Sequence, residues 1–157
     1  MKTNTAAPGN LLIWGAQLYL WAALLEDSAS FVLAWVAPDI WFRIFHHTTG
    51  SGLEIAFLRR SAGQWAAFAI GQAATLALWR KFPVWLAIAA ALRFSDLFTD
   101  VSYLLSAPHL TPAAWFLLSP PAPLNLIGVV LLLYLYAKQR PNFTWGHTSP
   151  GRVWAKD

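Results

Sequence analysis

The chain has 157 residues, of which 57% are hydrophobic and 11% charged. That balance rules out disorder and argues against an ordinary soluble domain, where roughly a quarter of the residues are charged. The absence of cysteine excludes disulfides, thiolate metal sites, iron–sulfur clusters and thiol catalysis.

Ten tryptophans and ten phenylalanines point to a membrane, because Trp is enriched where lipid meets water. The net charge of +4 does not signal nucleic acid. Lys and Arg sit mostly at the ends of apolar segments, where they anchor spans.

In chain order, a polar segment, residues 1–10, precedes the first apolar stretch, Leu11 to Val36. That stretch is too long for a signal-peptide core and is interrupted by Trp14, Trp21 and Glu26, so it reads as a span. Asp39 to Phe45 reads as an interfacial amphipathic turn. The second span runs from about Ala62 to Trp79, or begins near Gly52 if Arg59 and Arg60 lie at the interface or inside the bundle. Pro83, just after Arg80 and Lys81, separates it from the third span, Val84 to Leu105. A proline-rich connection then holds the short apolar piece Ala113 to Leu118, read as an interfacial or re-entrant half-helix. The fourth span, Leu124 to Ala137, is short for a hydrocarbon core of about 30 Å. Trp14, Trp79, Trp85 and Trp115 read as belt anchors.

The predicted fold is therefore all-α: an integral membrane four-helix bundle over residues 11–138, with a cytoplasmic tail, residues 139–157. Lys2, Arg80, Lys81, Lys138, Arg140, Arg152 and Lys156 share one face, against Arg43, Arg59 and Arg60 on the other. That asymmetry predicts both termini in the cytoplasm. A glycosylation sequon at Asn142-Phe143-Thr144 is discounted, because a cytoplasmic tail never meets the glycosylation machinery.

The informative residues are polar ones inside spans. Arg93, Asp96, Asp100 and Tyr103 recur at spacings of three, four and three, so they share one face of the third span. A charge at mid-membrane costs about 3 kcal/mol or more, which turns that face into the bundle. Arg93 and Asp96 can pair within one turn. The first span adds Glu26 and Asp27, with Glu26 expected to meet Asp100 in the outer half, and also Gln17; the second adds Gln64 and Gln72. Together they predict a polar pocket open to the non-cytoplasmic side, with Arg59 and Arg60 at its rim. Two readings stay open: a buried ion network that fixes helix packing, or a site for a proton, a cation or a polar head group.

His46-His47, with Asp39, Glu54 and His109 on the same face, are weighed as metal ligands. Adjacent histidines on a helix point about 100° apart and no His follows at i+4, so no metal is expected. No nucleophile elbow, phosphate loop, dinucleotide fingerprint or haem motif occurs.

Arg60-Ser61-Ala62-Gly63-Gln64 at the start of the second span, and Arg93 with Asp96 and Asp100 in the third, resemble the DoxX-like group of small four-helix bacterial membrane proteins. The resemblance implies a four-helix membrane bundle in a bacterial inner membrane. Some members of the group are linked to quinone-coupled oxidation of sulfur compounds; no redox activity is carried over to this cysteine-free chain. The expected function is that of a non-enzymatic accessory or scaffold bundle, binding lipid, quinone or a larger membrane complex through the polar pocket. The alternatives are a quinone-interacting membrane oxidoreductase subunit, or a proton- or cation-coupled carrier acting as a homo-oligomer.

Overall fold

A computed structural model describes residues 9–139. The segment 1–8 and the tail 140–157, with Lys2, Arg140, Arg152, Lys156 and the sequon at Asn142, lie outside the described residues. Within them every element is a helix: α1 (Asn10–Val36), α2 (Pro38–His46), α3 (Gly52–Leu78), α4 (Val84–Ser106), α5 (Pro112–Leu118) and α6 (Pro121–Gln139).

Local chemistry marks most boundaries. Pro38 drives Ala37 out of the helical region, which ends α1, and then occupies the first turn of α2. His47 closes α2 in the left-handed conformation at φ 52°. Ser51 and Glu54 form a reciprocal capping box that starts α3. Pro108 stops α4, leaving Ala107 extended. The Thr111 hydroxyl caps α5 by accepting from the Ala114 amide at 2.9 Å.

The second apolar segment is therefore longer than its core from Ala62. Its first turns carry Glu54, Arg59 and Arg60, all exposed, which hide the helix from a hydropathy reading. The expected turn at Asp39 to Phe45 is a helix of 9 residues whose Trp41, Phe42 and Phe45 are buried. The half-helix expected at Ala113 to Leu118 is α5.

The four long helices are arranged as a ring in which α1 adjoins α3, α3 adjoins α4, α4 adjoins α6 and α6 returns to α1. On α1 the buried residues Ala16, Leu20, Ala23, Asp27 and Ala34 form one stripe, and its alanines let α3 approach closely. At one end Ala16, Leu20, Trp79, Leu86, Leu132 and Leu135 pack together. This end gathers the start of α1, the α3–α4 turn and the end of α6. Trp79 is thus a core residue at 2% exposure, not a belt anchor, whereas Trp14 and Trp115 are exposed.

At the other end Ala34, Trp41, Phe42, Phe45, Leu58, Ala62 and Ala114 form a second cluster. There α2 and α5 fold over the bundle and are tied together: Thr111 donates through its amide to Phe45 O at 3.1 Å and through its hydroxyl to Ile44 O at 2.8 Å.

α1 and the stretch Pro112–Gln139 are long and apolar enough to cross a membrane. Among the described residues, many large apolar side chains lie on the surface, while charged and amide groups share the interior with the two apolar clusters. Leu11, Leu105 and Phe116 are 87%, 83% and 79% exposed, while Arg93 and Gln72 are fully buried.

Candidate functional site

Between the two apolar clusters lies a polar layer built on four helices. Arg93 of α4 reaches across the ring to Asp27 of α1, its Nη2 donating to Oδ2, and pairs with Asp96 one turn along its own helix at 3.3 Å. The guanidinium carbon stands 5.4 Å from the centre of the Phe68 ring, a cation–π contact from α3. Gln72, also on α3, donates to Asp27 Oδ2 at 2.7 Å.

Asn125 of α6 joins these groups. Its carbonyl oxygen accepts from Arg93 Nη1 and from the Tyr19 hydroxyl, each at 3.3 Å. Its amide nitrogen donates to Asp96 at 3.1 Å and to Asp100 at 2.9 Å. One side chain thereby uses its full bonding capacity on the network. Gly128 makes this possible, because a Cβ there would overlap the Tyr19 ring lying against α6.

Above this layer, towards the end closed by α2 and α5, opens a cavity of about 310 Å³. Asp96 belongs to both, with Asp100, Thr99 and Tyr103 completing the α4 wall. α3 contributes Glu54, Ser61, Gln64 and Trp65, and α2 contributes Trp41, Phe42 and His46. The Trp41 and Trp65 rings meet at 5.1 Å between centres.

His46 stiffens the wall. Its Nδ1 lies 3.3 Å from the carbonyl of Pro108, which can only accept, so Nδ1 carries the proton. Nε2 lies 2.6 Å from the Tyr103 hydroxyl, which can donate to it. At the cavity mouth, hydrogen bonds from Ser51, its backbone N–H above all, hold the Glu54 carboxyl below the usual carboxylate range.

Of the residues singled out by sequence, Asp27, Gln72, Arg93 and Asp96 meet in the polar layer, and Gln64, Asp96, Asp100 and Tyr103 line the cavity. Glu26 stands elsewhere: one position from Asp27, it is turned to the exposed side of α1 and makes no hydrogen bond or ion pair among the described residues. The expected contact of Glu26 with Asp100 is replaced by the bond from Asn125. Arg59 and Arg60 are exposed on α3 and do not line the cavity, so the expected basic rim is instead the acidic Glu54. Gln17 makes no hydrogen bond to the network. Among the described residues no group of three His, Cys, Asp or Glu side chains is arranged to hold a metal.

Sequence reasoning missed Asn125, Tyr19 and the aromatic wall, and it weighed His46 only as a metal ligand and not as a wall residue bonded to Tyr103. A lone amide one residue into the last apolar run was the available signal for Asn125. Compared with protein-family models, with curated proteins and with solved structures, the chain matches none.

Proposed function

We propose that the protein is an integral membrane four-helix bundle, with α1, α3, α4 and α6 as spans, that acts as a binding and accessory unit through the cavity beside its polar layer. At 1.5 Å per residue, α1 and α3 are each about 40 Å long and α4 about 34 Å, against a hydrocarbon core of about 30 Å. α6 reaches about 28 Å, and α5 extends it. The exposed apolar surface on all four is what a lipid environment accepts and water does not. This is the plan that the DoxX-like resemblance implies.

Arg80 and Lys81 lie at the same end as the start of α1 and the end of α6, which supports an orientation with that end in the cytoplasm of a bacterial inner membrane. The cavity then opens in the outer half.

The observation that carries the binding reading is the pairing of an aromatic chamber with two carboxyls on its floor, Asp96 and Asp100. A structural ion network needs no adjoining chamber. One of about 310 Å³ is of the size that small molecules occupy. Native mass spectrometry of the protein released from lipid nanodiscs tests the reading. A bound small molecule or lipid is expected on the wild type and is lost when Thr99→Trp or Ser61→Trp fills the cavity. Unliganded wild type, or the same adduct on the filled variants, contradicts it.

A further inference from the structure

The cavity's chemistry narrows its ligand, on the premise that it is a ligand site at all. We propose that it takes a small organic cation, an ammonium group on an apolar body, with Asp100 as counter-ion and the rings of Trp41, Phe42, Trp65 and Tyr103 as its wall.

Charge is the first argument. The connected network contains a single cation, Arg93, and three carboxyls, Asp27, Asp96 and Asp100. Arg93 pairs with Asp27, Asp96 and Asn125 and makes no hydrogen bond or ion pair with Asp100 among the described residues. Asp100 receives one neutral hydrogen bond, from Asn125, and faces the cavity. Among the described residues neither lysine nor arginine lines the chamber, and its third acidic group is Glu54. An ionised acidic excess beside an apolar chamber is costly unless a proton neutralises it or a positive charge enters, and an ammonium ligand supplies that charge.

Hydrogen-bond supply is the second. The hydroxyls lining the cavity already donate inside the protein: Ser61 to Phe57 O at 3.2 Å, Thr99 to Asp96 O at 3.0 Å and Tyr103 to His46 at 2.6 Å. His46 Nε2 is occupied and its Nδ1 is turned to Pro108. A neutral carbonyl ligand such as a quinone needs donors, which the walls offer through the Gln64 amide and the Trp41 and Trp65 indoles, whereas the floor of Asp96 and Asp100 presents carboxyl oxygens. Aromatic faces complete the match, since ring quadrupoles attract ammonium groups. A bare divalent ion, which needs six or more oxygen ligands or their waters, is poorly served by two carboxyls among rings.

The test compares benzyltrimethylammonium with its uncharged isostere neopentylbenzene. Binding to the protein in lipid nanodiscs is followed by tryptophan fluorescence, with empty nanodiscs subtracted. The wild type is expected to bind the cation at least tenfold more tightly than the isostere, and this comparison alone decides the ligand's charge. Asp100→Asn is expected to bring the ratio near one, and Trp65→Leu to reduce it while leaving isostere binding within about twofold. Equal affinity for both probes overturns the cation assignment and leaves the cavity as a site for neutral ligands. Binding of neither probe overturns the ligand-site reading along with it. A preference that survives in folded Asp100→Asn overturns Asp100 as the counter-ion.

Discussion

One position on a helix separates Glu26 from Asp27, and it decides which of them belongs to the polar layer. Successive residues differ by about 100° around the axis, so Asp27 falls in the buried stripe with Ala16, Leu20, Ala23 and Ala34 while Glu26 turns outward. Removing one partner of a buried ion pair costs about 3–5 kcal/mol, since the other charge is left uncompensated. Asp27→Asn is therefore expected to lower the stability of the detergent-solubilised protein by about 3 kcal/mol, and Glu26→Gln by less than about 0.5 kcal/mol. Equal shifts in thermal unfolding for the two variants would show that Asp27 is not the partner of Arg93. The sequence singles out both acids because each interrupts an apolar run, but choosing between them requires knowing which face of α1 meets α3. Asn125 was illegible for a related reason: at the edge of the last apolar run, an amide looks like an interfacial residue until α4 is placed beside it.

At the level of elements, apolar runs and prolines reveal the cores of the four long helices. They leave two starts open for α3, near Gly52 or near Ala62, because Glu54, Arg59 and Arg60 interrupt the apolar pattern; the Ser51–Glu54 capping box places the start at Gly52. The Glu54 carboxylate accepts from the Ser51 amide at 2.7 Å, which depresses its pKa. A depressed carboxyl pKa stabilises the folded helix start above the unfolded value of about 4.3, and that contribution is lost as pH falls through the lower, folded value. Amide exchange protection at residues 54–58, corrected for intrinsic rates, is therefore expected to fall on acidification in the wild type. In Glu54→Gln it should be lower at neutral pH and insensitive to acid. Protection that is constant with pH in the wild type would remove the cap from the account. The cavity itself was only half legible. Its α4 wall follows from helical spacing, but its aromatic lid depends on α2 and α5 folding over the same end, a tertiary contact made by Thr111 and the carbonyls of Ile44 and Phe45.

For the molecule as a whole, the distribution of polarity carries the argument. Among the described residues Asp27, Gln72, Arg93, Asp96 and Asn125 are buried at the centre, many large apolar side chains are exposed, and two apolar clusters close the polar layer above and below. Water would not tolerate that outer surface, and lipid would not tolerate Arg93, Asp96 and Asp27 anywhere but inside. The proposed four-span bundle would satisfy both conditions, and in that proposal the positive charge at the α3–α4 turn sets its orientation. Because the chain contains no cysteine, single introduced cysteines report its topology without background. The most direct measurement is labelling of intact cells with a membrane-impermeant maleimide, using Thr48→Cys, Ile70→Cys and Lys81→Cys. The account predicts that Thr48→Cys is labelled, that Lys81→Cys is labelled only after the membrane is permeabilised, and that Ile70→Cys resists labelling in both states. Labelling of Ile70→Cys without detergent, or equal labelling of Thr48→Cys and Lys81→Cys in intact cells, would contradict it.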